Sequence, residues 1–195
     1  MSSTQYRFEA RWNATRAKRI RLVAAALSGD SNALAHLKEM VVQAGVFASL
    51  SVRTRLATHE NKYVAWTLGE RPAGLDSHVD CDIRMRAYVE TLDLSLFADL
   101  SGHALAEHIM ANVAGLGFAK ATFTAACLGF DNVGCVDTNM AKMYGVPSSF
   151  SSWKGYRAAY AKTGWAHTLE QWRAFVGVKG FLDSQHDCYF DMVRV

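Results

Sequence analysis

No apolar run in this chain of 195 residues approaches the ~18–20 needed to cross a bilayer, which argues against a helical membrane protein. Met1 to Arg11 lacks the basic, then apolar, then small-residue order of a secretory leader, so the expected location is the cytoplasm. Cysteine is sparse. Cys81, Cys127, Cys135 and Cys188 stand far apart with no C-x-x-C pair, a pattern that fits neither a disulfide scaffold nor zinc or iron–sulfur ligation, and they read as reduced core thiols. Proline occurs twice against 14 glycines, and charge of either sign is modest, with 21 Lys+Arg against 18 Asp+Glu for a net +3. With half of the residues hydrophobic and 20% charged, disorder is excluded as the main state and one packed domain over 1–195 is expected.

What is present is helical pattern. From about Thr4 to Ser28 the chain is rich in Ala, Arg and Leu, free of Pro and Gly, and stops at Gly29, as a long helix with a glycine past its end would. After Asp30 or Ser31 as a cap, Leu34, Leu37, Met40 and Val41 repeat as one buried stripe, predicting a second helix that ends near Gly45. A third is expected from Val46 to Glu60, followed by a loop at Gly69-Glu70-Arg71-Pro72-Ala73-Gly74. Val79, Ile83 and Leu92 suggest another helix, and Ser101 can cap one in which Leu105, Ile109 and Val113 keep four-residue spacing. Near the end, Thr168 and Gln171 fit a capping box ahead of Leu169, Trp172, Phe175 and Val176. No segment shows sustained strand alternation. The fold class is all-α, with about nine or ten helices of ordinary length.

The most informative stretch lies within 105–145. A helix ends at Gly115-Leu116-Gly117 and another starts at once with Ala119-Lys120-Ala121. Two glycines one residue apart permit a very tight hairpin and let a ligand approach the backbone without an intervening side chain. The following helix presents N–H groups and a partial positive charge, which together can hold a phosphate oxygen, with Lys120 as a second contact. Gly129 then ends an element, Asp131-Asn132 make a turn, and Val136-Asp137-Thr138-Asn139-Met140 lead into a short helix ending near Gly145 and Pro147.

This Gly-x-Gly, small-residue helix, turn and Val-Asp-Thr-x-Met resembles the helix–hairpin–helix DNA glycosylase superfamily of the endonuclease III and adenine glycosylase type, over about thirty residues. The resemblance implies a fold of two helical lobes with double-stranded DNA across the cleft between them. Gly115, Leu116, Gly117, Ala119 and Lys120 would grip backbone, with Thr138 and Asn139 beside the DNA, and Asp137 would face a flipped nucleotide as the catalytic carboxylate. Cleaving an N-glycosidic bond develops positive charge on the sugar, so a fixed carboxylate can stabilise that state and deprotonate an attacking water. Members that also cut the strand carry a Schiff-base lysine where this chain has Ala119. Lys120, one residue on, lies about 100° around a helix, so no such lyase activity is expected. Asn139 replaces the usual histidine, and the four-cysteine iron–sulfur loop has no counterpart. The resemblance therefore implies a monofunctional enzyme of base excision without a cofactor, beyond a monovalent cation at the hairpin, and without a metal centre. The fold's bacteriophage branch, which attaches an amine or amino acid to an activated thymine in DNA modification, is the alternative function. A non-catalytic DNA-binding module is the second alternative.

Plainer readings stand beside these. The hairpin can be an ordinary turn between packed helices, and Asp137 a helix N-cap, a position that favours its charged form and suits a stabilising carboxylate better than a general acid. Arg7, Arg11, Arg16, Lys18, Arg19 and Arg21 crowd the first helix with Glu9 alone among them, either tracking phosphates or forming a solvated face. His103 and His108 lie about 140° apart on a helix, so with Glu107 they do not form a metal site. Asp183, His186 and Asp187 can orient one another at a cleft edge, but a surface cluster is the commoner outcome, and they are left unassigned. Trp153, Tyr156 and Tyr160, like Trp165, Trp172 and Phe175, read chiefly as core rings, with base stacking the less common use.

Overall fold

The computed structural model describes residues 3–50, 56–72, 80–92, 94, 97, 102–130 and 133. Among these residues there are six α-helices and no strand: α1 (Ser3–Leu27), α2 (Ser31–Leu50), α3 (Leu56–Thr67), α4 (Cys81–Glu90), α5 (Gly102–Asn112) and α6 (Phe118–Cys127). None is long and apolar enough to cross a membrane.

The centre of the core is α2, which packs against α1, α4 and α6 and more lightly against α3, while α5 packs on α6. Its entry is fixed by Asp30, whose Oδ1 accepts the backbone N–H of Asn32 at 2.9 Å and of Ala33 at 3.0 Å, so Asp30 rather than Ser31 is the cap. Leu37, Met40 and Val41 are buried as their spacing predicts, and Leu34 is half-buried. The helix does not end at Gly45. It continues to Leu50, and from Ala44 to Leu50 every residue is buried. Gly45 serves close packing instead of termination: a Cβ there would lie 2.6–2.8 Å from the Met85 side chain of α4. Residues 46–50 thus belong to α2, and the third helix starts only at Leu56.

Three helices end by one device. Gly29, Gly69 and Gly129 have φ of 94°, 85° and 78°. In each case the glycine N–H bonds three residues back and the next N–H bonds five residues back, to Ala26 and Ala25, Trp66 and Ala65, and Ala126 and Ala125. The predicted loop therefore begins at Leu68, after α3. In α4 the buried positions are Cys81, Met85, Tyr88 and Val89, whereas Ile83 is 57% exposed and does not belong to the core stripe. In α5 the predicted stripe is present: Leu105, Ile109 and the following Val113 are at most 1% exposed. Cys81 and Cys127 are both buried in the core.

The α1 basic residues are not equivalent. Arg16 and Arg21 are exposed and Lys18 is half-buried, but Arg19 is only 8% exposed. Its guanidinium carbon sits 3.6 Å from the centroid of the Phe130 ring, and Nη2 reaches the Gly129 carbonyl at 3.5 Å. Arg19 is thus not part of a solvated face. It clamps the end of α6 onto α1.

Candidate nucleic-acid interface

The turn joining α5 to α6 spans Val113 to Gly117. Val113 and Leu116 point into the core at 1% and 3% exposure, whereas Ala114, Gly115 and Gly117 are exposed. Two apolar side chains therefore hold the turn from inside while its backbone faces out. Gly115 has φ 93°, a conformation that side-chain-bearing residues reach with strain, but it does not repeat the closure seen at Gly29, Gly69 and Gly129. Here the Leu116 N–H bonds back to Val113 at 3.2 Å, and the chain reverses into Gly117, whose φ of −77° and ψ of −175° are extended.

The first turn of α6 closes on Gly117, whose carbonyl accepts both the Lys120 and Ala121 N–H groups at 3.0 and 2.9 Å. Gly117 supplies no side-chain cap, and a Cβ placed there would meet nothing within 4 Å. Neither its backbone angles nor its neighbours require a glycine at 117. Ala119 and Lys120 are half-buried, and the Lys120 ammonium lies 6.0 Å from the centroid of the Phe123 ring. Further along α6, Thr122 and Thr124 donate to the carbonyls of Phe118 and Lys120 at 2.7 and 2.8 Å, which satisfies two buried hydroxyls within the helix.

Gly115, Leu116, Gly117, Ala119 and Lys120 thus come together at one exposed turn and helix start, with Leu116 as its inner anchor. Asp137, Thr138 and Asn139 lie outside the described residues, as do Cys135 and Cys188, the aromatic residues from Trp153 onward and the Asp183, His186 and Asp187 group. On α1, burial first and then the neighbouring Arg21 charge hold the Lys18 ammonium below its ordinary pKa. His108 Nδ1 is 2.8 Å from the Tyr88 hydroxyl, a link between α5 and α4. Among the described residues no group of His, Cys, Asp or Glu is placed to hold a metal ion.

Two features carry no signal in the sequence pattern. One is the Arg19 clamp. The other is a polar cleft of about 470 Å³ at the meeting of α2, α3 and α4, whose lining includes Glu39, Trp66, Arg71 and Asp82. It is assembled from three separated stretches, so no local motif announces it. Comparison of this chain with protein-family models, with curated proteins and with solved structures finds no match.

Proposed function

We propose that this chain is a small, monofunctional helix–hairpin–helix glycosylase-like enzyme that binds duplex DNA through the turn at 115–120 and acts on an extruded base with Asp137. The observation that carries the reading is Gly117: a glycine that its own backbone and neighbours do not require, exposed at an uncapped helix start. A DNA phosphate seated against that backbone accounts for the missing side chain, because any Cβ would occupy the approach to the helix N–H groups. The Gly-x-Gly to Val-Asp-Thr-x-Met pattern supplies the rest of the argument, including a two-lobed architecture with the DNA between lobes.

In this reading the turn fixes the strand and Asp137 meets the sugar of the flipped nucleotide. The C1′–N bond breaks, and its electron pair leaves with the base. Water then adds to C1′ and passes its proton to the carboxylate. Ala119 supplies no amine for a Schiff base, so strand cleavage does not accompany base loss.

Duplexes carrying assorted damaged or modified bases, incubated with the protein and resolved by mass analysis of DNA and free base, test the proposal. Released base is the expected product; a heavier nucleotide would indicate base modification by a transferase, and binding without product a silent module. Asp137→Asn should lower turnover by roughly a hundredfold or more while leaving DNA binding intact. Gly117→Leu should weaken binding to DNA of every sequence, since the grip is on backbone. Full turnover in the first variant, or unchanged affinity in the second, overturns the assignment.

A further inference from the structure

On α1 the buried side chains include Thr15, Arg19, Val23 and Ala26. A second stripe lies around the helix from them. Asn13, Ala17, Ile20, Ala24 and Leu27 alternate by four and three residues and are all exposed, Ile20 and Leu27 to 52% each. That spacing is the seam along which one helix receives another, and its alanines let a second axis come close. The exposed Arg16 and Arg21 border the seam, about 70° to either side of its centre. The last described stretch of chain passes beside this helix: a Cβ on Gly129 would stand 2.8 Å from the Arg16 backbone, and the Phe130 ring lies under the Arg19 guanidinium.

Residues 134–195 follow, and one segment among them matches the seam in both shape and charge. Phe181, Leu182, Cys188, Tyr189, Met192 and Val193 fall at i, i+1, i+7, i+8, i+11 and i+12, the pattern of one apolar helix face about 140° wide. Asp183 and Asp191 stand beyond its two edges and Asp187 opposite it, with no Lys or Arg from 181 to 193. We propose that residues 181–193 dock as a helix along the seam of α1 from Asn13 to Leu27. Their apolar face covers Ile20 and Leu27, and the aspartates on its two shoulders answer the arginine borders. A second copy of α1 would instead set arginine borders against arginine borders. The capping-box segment at 168–176 holds Glu170 and Arg173, so it has no net charge to match them. Residues 134–180 are ample to reach any point of α1, whose 25 residues make it about 37 Å long.

Disulfide trapping in the full chain tests the docking, because Cys188 belongs to the proposed contact face. Ala17→Cys and Ala24→Cys each put a thiol on the seam at an exposed small residue, and Ile83→Cys puts one on the exposed side of α4 as a control. After oxidation with diamide in dilute solution, peptide mass mapping should show a bridge to Cys188 within one chain in at least one seam variant. It should form about tenfold faster than in the control, since docking raises the effective concentration of the two thiols. Adding Ile20→Asp should slow it about tenfold, by setting a charge under the apolar face. Asp183→Lys with Asp191→Lys should slow it several-fold at low salt and less at about 0.5 M salt, where the charges are screened. The proposal is overturned by no bridge from either seam position, by an equal rate in Ile83→Cys, or by unchanged bridging in both sets of added substitutions. Bridges that join two chains overturn it too, and make a second copy the occupant.

Discussion

A methyl group at Gly129 would lie 2.8 Å from the backbone of Arg16, whereas one at Gly117 would meet nothing within 4 Å. Gly129 also has φ 78°, so its substitution combines backbone strain with a collision against α1. Gly129→Ala should therefore destabilise the fold by about 2–4 kcal/mol, while Gly117→Ala should stay within about 0.5 kcal/mol, in urea unfolding of the two variants. A near-neutral Gly129→Ala would show that the α1–α6 contact is not as tight as the geometry states. In the sequence these glycines look alike, each beside a helix, and only the packing of a distant element separates them. The same holds for Arg19. Six basic residues of one helix share a composition, and what singles out Arg19 is a ring at position 130 and a carbonyl at 129, more than a hundred residues away.

Among the described helices, α2 packs against α1, α3, α4 and α6. Leu37, Met40, Val41 and Val42 are 0–1% exposed, so a cavity there is lined by several elements at once and cannot be closed by shifting one. Leu37→Ala should cost about 2–5 kcal/mol. Asp30→Ala, which removes only the cap at the same helix's start, should cost about 1 kcal/mol. Thermal or urea denaturation of both variants checks the ranking, and a costlier cap than core would contradict the central position of α2. The start of α2 was legible because Asp30 and the Leu37, Met40 and Val41 stripe are local signals. Its end was not, because a glycine inside a helix is indistinguishable by sequence from one beyond it until the Met85 side chain is known to occupy the missing Cβ. Likewise the α5 stripe was legible and the α4 stripe was not: four-residue spacing over Leu105, Ile109 and Val113 marks a face, whereas Ile83 in the ten-residue α4 points to solvent while Cys81 and Met85 turn inward.

For the molecule as a whole, the buried acids that titrate at high pH set a common direction. Burial, the largest effect, pushes the Cys81 thiol from 9.0 up to about 11, opposed by a hydrogen bond to Ser49. Burial also pushes the Tyr63 and Tyr88 hydroxyls upward. The unfolded chain releases these protons first as pH climbs, so above about pH 9 the native state holds more protons and loses stability. The thermal midpoint should accordingly be flat with respect to Cys81 below pH 9 and fall between pH 9 and 11; in Cys81→Ala that fall should be shallower. An unchanged slope in the variant would remove Cys81 as its source. As for the candidate interface, the α5–α6 turn was legible because Gly-x-Gly between two helical patterns is a local instruction. The cleft was not, since its carboxylates and guanidiniums come from residues 39, 70, 71, 82 and 86 and only tertiary packing gathers them.

The hydrogen bond from Arg19 to the Gly129 carbonyl spans 110 residues of chain, and its consequence concerns synthesis. α2, one of the partners of α1, is complete once residue 50 has left the ribosome, but the ring and carbonyl that receive the Arg19 guanidinium do not exist until residue 130 is made. Through that interval a cationic side chain destined for burial stays in water, so α1 is only fully seated after the end of α6 has emerged behind it.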